Sequence, residues 1–275
     1  MIRWIAAACM VTVVLAACSP NNVTEDNSLQ KYFDENHVTG SFGLLDNGQG
    51  QFTIYKPARF SDSIYIAGTS FNIINSLIAI ESGAVNDTSS VITADSGSIA
   101  IDTACGKDMT LRQAFRTSCT GWFRELARRI GKPVMQHWID TLGYARRYDT
   151  LRIQNNLDTF WLDNSARVTA DEQLGIIKKL YFDQLPFQQR SQRLVRSMLL
   201  QESNANYSLS YLTGSGVTPD GRTTGWLAGW IEENVHPYFF VIQTTAPDAT
   251  IDITAIQKKM LKDILKQYGF MEGKK

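Results

Sequence analysis

The sequence predicts an α+β protein, within the broad α/β class, whose antiparallel sheet is flanked by helices and joined to an all-helical lobe. β-Rich runs lie near both ends of the chain, and the residues between them carry helical patterns. Because strands far apart in sequence can complete one sheet, we expect the two ends to share a sheet and the middle to form a separate lobe. A cleft between two such lobes is the usual place for a ligand.

The N-terminus is predicted to be a bacterial lipoprotein signal. Arg3 gives a short positive region, and Ile5 to Val14 form an apolar run that is too short to span a bilayer. The run leads into Leu15-Ala16-Ala17-Cys18, which resembles a lipobox. On this interpretation residues 1–17 are removed, Cys18 carries the lipid, and residues 18–27 form a flexible tether. The alternative is an ordinary signal peptide that ends near a cysteine.

The remaining domain, residues 28–270, is expected to have a sheet lobe made of residues 28–83 and 202–270. Alternating apolar residues, glycine-rich turns and an apolar helix define its elements. The expected elements are a helix at Leu29–Glu35, strands at Ser41–Leu45 and Gln51–Tyr55 around the turn Asp46–Gly50, a buried helix at Phe71–Ile80 ending near Gly83, strands at Tyr207–Thr213, Gly225–Glu232 and Tyr238–Thr245, and a last helix over about 251–269.

The helical lobe is predicted over residues 84–201 from capping and breaking residues. Five helices are expected: one that begins after Thr110, one with the apolar stripe Trp122, Phe123, Leu126, Ala127 and Ile130, one from Pro133 to Gly143, one that begins at the capping box Thr169–Glu172, and one from Pro186 to about Gln201.

Composition excludes several kinds of function. Lys and Arg together number 27, as do Asp and Glu, so there is no overall field to attract nucleic acid. The three histidines are far apart and no metal-binding motif occurs, so we expect no metal. Cys105 and Cys119 are the cysteines left after Cys9 and Cys18, and the sequence leaves open a disulfide or two buried thiols.

Several segments, in unbroken order, resemble the class D β-lactamases, also called oxacillinases. Together they extend over roughly residues 28–268, and the resemblance implies a β-lactamase/transpeptidase-like fold and a serine hydrolase site. These segments are Phe71–Gly83, Asp108–Leu111 through Arg124–Gly131, Asp158–Leu162, Gln184–Phe187, Met198–Leu200 and Gly225–Trp230.

The nucleophile motif of that family is Ser-x-x-Lys, in which the lysine acts as the base after carbamylation by CO2. The resemblance places Thr69 at the serine and Asn72 at the lysine, with Ser70 one residue out of register. An amide cannot be carbamylated, so no CO2-derived group or other cofactor is expected. The β-methyl of Thr69 also crowds attack by its hydroxyl.

Two further motifs are altered in part. The Ser-x-Val motif corresponds to Ser118-Cys119-Thr120, so Ser118 retains the proton-shuttling hydroxyl while Thr120 replaces the valine that keeps the lysine dry. The aromatic-Gly-Asn motif falls at Leu142-Gly143-Tyr144, where only glycine is retained.

The last motif, Lys-Thr/Ser-Gly, appears as Leu212-Thr213-Gly214. Thr213 and Gly214 are expected to line a substrate groove, whereas Leu212 cannot supply the charge that helps to bind a substrate carboxylate. Trp161 matches the tryptophan that hydrogen-bonds the carbamate, and the alternative is that it simply packs in the core.

These substitutions predict a pseudoenzyme: an exported lipoprotein, periplasmic or in the outer membrane, that binds a partner, a β-lactam or a peptidoglycan-like fragment in the cleft. Its contact with the membrane is expected through the lipid only. The alternative is a hydrolase that opens β-lactams slowly through Thr69 or Ser70. A β-lactam sensor is a third hypothesis, but sensing needs the same acylation.

We expect radiolabelled palmitate to enter the wild-type protein in cells and to be lost in the Cys18→Ala variant, because Cys18 is the predicted lipid acceptor. Cys9→Ala is the matched control and should retain the label, since Cys9 lies in the segment that is removed. Equal labelling of wild type and Cys18→Ala would contradict the lipoprotein hypothesis.

Overall fold

A computed structural model describes residues 22–93, 105–145 and 151–274 of the protein. The predicted signal run, lipobox and Cys18 lie outside these described residues. Within them, no helix combines the length and the apolar character that crossing a lipid bilayer requires.

One seven-stranded sheet holds the two ends of the described chain together. Its strands are β1 (Val23–Glu25), β2 (Thr39–Asp46), β3 (Phe52–Tyr55), β8 (Leu200–Ser203), β9 (Ser208–Val217), β10 (Thr223–Glu233) and β11 (His236–Ala246). They lie in the order β1-β3-β2-β11-β10-β9-β8, and neighbours are antiparallel except for β1 and β3, which are parallel. The prediction that both ends share an antiparallel sheet is confirmed, with β1 as the exception.

Helices cover both faces of this sheet and fill the second lobe. They are α1 (Gln30–Glu35), α2 (Pro57–Asp62), α3 (Asn72–Glu81), α4 (Leu111–Thr117), α5 (Thr120–Ile130), α6 (Lys132–Leu142), α7 (Ala170–Tyr181), α8 (Gln189–Leu199) and α9 (Ile253–Gln267). Two short antiparallel two-stranded sheets accompany them, β4 (Tyr65–Ile66) with β7 (Arg167–Val168), and β5 (Val91–Thr93) with β6 (Asp108–Thr110). The predicted fold class is therefore confirmed.

The sheet separates two apolar cores, because successive side chains of a strand point to opposite faces. On β9, Leu212 joins the core shared with α3 and the helical lobe, while its neighbour Tyr211 joins the core beneath α9. Helix α3 lies inside the larger core, with Asn72 to Ile80 all buried. This burial explains why the α3 segment is apolar on nearly every face.

Three predicted helix ends in the second lobe, at Thr110, Gly143 and Thr169, are confirmed. Thr110 and Thr169 each accept a hydrogen bond from the backbone N–H three residues later, and both form complete capping boxes. Gly143 ends α6 with a φ of 64°, a left-handed conformation that glycine adopts without a steric penalty.

Several predicted boundaries differ from the structure, and the contacts explain two of them. The tether expected over residues 18–27 is shorter, since Val23–Glu25 pair with β3 as β1. The helix expected to begin at Pro186 begins at Gln189, because the Gln192 side chain bonds backbone groups on both sides of Pro186 and holds that residue in a loop. The same helix ends at Leu199, where the chain turns into β8.

Cys105 and Cys119 form a disulfide, with their Cα atoms 5.1 Å apart. Cys119 is also the N-cap residue of α5, and its Sγ accepts a hydrogen bond from the Trp122 N–H at 3.4 Å. The bridge therefore ties Ser118, the residue before Cys119, to the segment that begins at Cys105. A disulfide that closes a loop of this length stabilises a protein by about 3 kcal/mol.

Candidate functional site

A cleft of about 560 Å³ opens between the two lobes. Its described walls come from the 3-10 helix Gly68–Phe71, the end of α4 and start of α5, strand β9, and helix α9. The lining residues are Thr69, Arg116, Thr117, Ser118, Thr120, Thr213, Gly214, Ser215, Thr254 and Lys258. Of the residues proposed from sequence, the structure brings Thr69, Ser118, Thr120, Thr213 and Gly214 together in this cleft.

Two glycines let the 3-10 helix approach strand β9 closely. A Cβ atom on Gly214 would lie 2.3 Å from the Ser70 nitrogen, and one on Gly68 would lie 2.2 Å from the Ser215 carbonyl oxygen. Gly68 also has a φ of 55°, which other residues rarely adopt. The two backbone segments that form the floor of the cleft, the 3-10 helix and β9, therefore each require a glycine at this contact.

Thr69 lies on the 3-10 helix that lines this floor and is only 7% exposed. Its Oγ1 accepts a hydrogen bond from the Ser215 N–H at 3.0 Å. A backbone N–H in such a place is the kind of donor that stabilises a developing oxyanion. Here that donor is bound to the hydroxyl itself, which holds the hydroxyl toward β9.

Ser118 stands across the cleft in the left-handed conformation, with a φ of 54°. A residue other than glycine at such a φ is strained by about 1–3 kcal/mol and is often found at functional sites. The Ser118 Oγ donates to the Thr213 carbonyl oxygen at 3.4 Å, so the helical lobe contacts strand β9 through it. The hydroxyl predicted to move a proton is therefore in the cleft.

Ser70, the second predicted hydroxyl, does not line the cleft. It is 5% exposed, donates to the Ala67 carbonyl oxygen at 2.7 Å, and accepts from Gln173 Nε2 at 2.7 Å. Both bonds lie on the protein side of the 3-10 helix. The bond from Gln173 therefore holds the 3-10 helix against α7.

Asn72 and Trp161 are fully buried beneath the cleft. Neither the Asn72 amide nor the Trp161 Nε1 has a hydrogen-bond partner among the described residues. The indole ring stacks on Phe71, with ring centroids 5.8 Å apart. The position that resembles the carbamylated lysine thus presents an amide, which does not fit that group.

None of the described residues that line the cleft has a side chain suited to act as a base near neutral pH. Arg116 and Lys258 are the titratable side chains among the described residues that line it. Both are cations, and no carboxylate, imidazole or thiol lies in the described walls. Within the same described residues, no three His, Cys, Asp or Glu side chains cluster as a metal site would need.

Leu212 and the third motif lie in apolar surroundings. Leu212 is 6% exposed and lines a smaller cavity beside the cleft, shared with Phe115, Arg116 and Lys258. Tyr144 of the third motif packs edge-on against Phe71, and burial, with a smaller effect of Glu172, raises the pKa of its hydroxyl well above the usual range. Neither position presents a charge to the cleft.

One segment of the chain does have the Ser-x-x-Lys spacing, Ser28 to Lys31, but it lies elsewhere. Ser28 is exposed in the 3-10 helix that precedes α1, and its Oγ accepts from Gln267 Nε2 at 2.9 Å. The Lys31 ammonium lies over the Tyr32 ring. Neither residue lines the cleft, so this spacing does not replace the missing motif.

Sequence reasoning missed several residues that line the cleft, namely Arg116, Thr117, Ser215, Thr254 and Lys258. Arg116 and Thr117 directly precede Ser118, and Ser215 directly follows Gly214, so their nearness to the motifs was a usable signal. Thr254 and Lys258 are four residues apart on α9 and share one helix face. No motif or pattern in the sequence indicates that this face borders the cleft.

Comparison with known proteins finds the same fold and similar sequences. The family described as penicillin binding protein transpeptidase domain matches residues 29–266. The chain is 31% identical over 244 residues to β-lactamase OXA-48 of Klebsiella pneumoniae, covering 88% of each protein. It is 30% identical to the probable β-lactamase YbxI of Bacillus subtilis strain 168, covering 91% of this chain and 87% of YbxI.

Solved structures are similar across the whole domain. The class D β-lactamase FUS-1 (OXA-85) from Fusobacterium nucleatum subsp. polymorphum has a TM-score of 0.79 and 26% identity, covering 92% of this chain and 100% of that one. The class D β-lactamase from Bacillus subtilis has a TM-score of 0.75 and 29% identity, covering 88% of this chain and 96% of that one.

We expect Gly214→Ala to destabilise the protein by about 1–3 kcal/mol, because the added methyl would lie within 3 Å of the Ser70 backbone and force β9 away from the 3-10 helix. Gly175→Ala is the matched control, since nothing lies within 4 Å of its added Cβ and alanine favours its helix. Urea unfolding of the three proteins measures both effects. Equal stability of Gly214→Ala and wild type would contradict the close approach.

Proposed function

The chain belongs to the penicillin binding protein transpeptidase domain family and, within it, to the class D β-lactamases, and from this we propose that it is a pseudoenzyme. It binds a cell-envelope ligand in the old substrate cleft and does not form an acyl-enzyme efficiently. The single observation that carries the proposal is the buried amide of Asn72 at the position of the base.

The missing base is the main argument against catalysis. A serine or threonine hydroxyl is a weak nucleophile until a neighbouring base takes its proton. An amide does not accept a proton near neutral pH, and the described cleft residues that titrate are cations. In a comparable serine hydrolase, losing one member of the nucleophile–base pair costs on the order of a million-fold in turnover.

The contacts of the two candidate nucleophiles support the same proposal. Thr69 Oγ1 is bound to the Ser215 N–H, which would otherwise be free to stabilise an oxyanion. Ser70 is bound on both sides and turned away from the cleft. An attack by either hydroxyl would first have to break these hydrogen bonds.

The shape and lining of the cleft support ligand binding. Its volume of about 560 Å³ lies in the range of small-molecule sites. Hydroxyl groups of Thr69, Ser118, Thr120, Thr213 and Ser215 border it, and these can donate and accept hydrogen bonds. A β-lactam or a peptidoglycan-like fragment, rich in amides and hydroxyls, is the ligand class we propose.

Export and lipid attachment at Cys18 complete the proposal. The support is the order of charged residue, apolar run, small residues and cysteine at the N-terminus. The Cys105–Cys119 disulfide supports export as well, because disulfides persist in oxidising compartments. The protein is then periplasmic or held at the outer membrane by its lipid.

We expect at most marginal hydrolysis of a chromogenic cephalosporin by the wild-type protein. The combined change Thr69→Ser, Asn72→Lys and Leu212→Lys should restore measurable acylation, because it returns the nucleophile, the base and the carboxylate-binding charge together. Thr69→Ser alone is the matched control and should change little, since residues that act as a unit are strongly non-additive. Stopped-flow absorbance measures both the burst and the steady rate.

Rapid turnover by the wild-type protein, abolished by Thr69→Ala or Ser70→Ala, would contradict the pseudoenzyme proposal, whereas slow turnover that these variants abolish would favour the slow hydrolase. Circular dichroism of every variant shows whether the fold is retained, which matters for Asn72→Lys because this position is fully buried.

A further inference from the structure

Two cations stand at the cleft on different elements. Arg116 lies at the end of α4 in the helical lobe, and Lys258 lies on α9, which packs on the sheet. No acidic side chain is among the described lining residues. The chain as a whole carries equal numbers of acidic and basic residues, so this cleft is a local concentration of positive charge.

Neither cation forms an ion pair with any of the described residues. In contrast, Lys259 and Lys262, which lie near Lys258 on α9, each form one. On α9, Lys259 pairs with Asp263 at 3.0 Å, and Lys262 pairs with Glu202 at 2.6 Å. The Lys258 side chain is exposed and lines the cleft instead. Lys258 therefore brings an uncompensated charge to the cleft, which Thr213 also lines.

Both cations also border the smaller cavity that contains Leu212. Leu212 occupies the position where the resemblance expects the carboxylate-binding lysine, and its apolar side chain joins the core. The positive charge lost at that position on β9 is thus present on two other elements that reach the same region. The positive charge in this region therefore lies on α4 and α9, and not on strand β9.

We propose that Arg116 and Lys258 form a carboxylate-binding site that replaces the missing lysine and selects anionic ligands; this rests on the proposed ligand-binding function of the cleft. A guanidinium can bind a carboxylate through two parallel hydrogen bonds, and an ammonium adds a second charge. The hydroxyls of Ser118, Thr213 and Thr254 would contact the uncharged remainder of the ligand.

Because both cations are exposed, the site should bind modestly and be sensitive to salt. The test compares benzylpenicillin, which carries a carboxylate, with its uncharged methyl ester. Isothermal titration of the mature full domain, and intact mass after each titration, give the affinity and any covalent adduct. We expect the acid to bind more tightly than the ester at low salt and to lose this advantage at about 0.5 M salt.

Removal of either cation should weaken binding of the acid about three- to ten-fold and leave the ester unchanged. The variants are Arg116→Ala and Lys258→Ala, with Lys258→Arg as the conservative change that should retain binding. Lys259→Ala is the matched control, because Lys259 lies on the same helix but pairs with Asp263.

The outcomes separate this inference from the proposed function. Equal binding of acid and ester, unchanged acid affinity in Arg116→Ala and Lys258→Ala, or no binding of the acid would each overturn the carboxylate site while leaving the absence of acylation intact. A covalent adduct would overturn the pseudoenzyme proposal, and the ratio of acid to ester affinity would still decide the carboxylate site.

Discussion

The close approach of the 3-10 helix Gly68–Phe71 to strand β9 determines the geometry of the rest of the site. Gly68 and Gly214 bring the two backbones together, and the Ser215 N–H bonds to Thr69 Oγ1 across the contact. From this contact α3 runs into the larger core, and β9 leads through β10 and β11 to the N-terminal strands. The cleft is the space left above this contact, where Ser118 reaches Thr213 from the other lobe.

The same contact explains how the fold can be retained without the Ser-x-x-Lys motif. The backbone approach depends on glycine and on hydrogen bonds, and none of these needs a lysine at position 72. The cost falls on the buried amide of Asn72, which has no partner among the described residues. A buried polar group left without a hydrogen bond costs about 1–3 kcal/mol. The fold tolerates this cost, whereas nucleophilic catalysis does not tolerate the loss of its base.

Much of the fold could be predicted from sequence because its signals are local. Capping residues indicated the starts of α4 and α7, a run that is apolar on nearly every face indicated α3, and an amphipathic pattern indicated α9. The parallel pairing of β1 and the loop at Pro186 could not be predicted, since they depend on β3 and on the Gln192 side chain. In the site, the motif positions gave Thr69, Ser118 and Thr213, but the cations had no motif. Lys258 borders the cleft only because α9 packs beside β9, which is a tertiary contact.

The absence of acylation is the central claim, and intact-protein mass spectrometry after incubation with excess benzylpenicillin and an acid quench tests it most directly. The protein mass reports a covalent adduct directly. An acyl-enzyme that deacylates slowly would show little turnover in a kinetic assay, but its adduct would still appear in the mass. The account predicts a single mass equal to that of the untreated protein. A protein mass raised by one penicillin, with the adduct located by peptide mapping on Thr69 or Ser70, would contradict it.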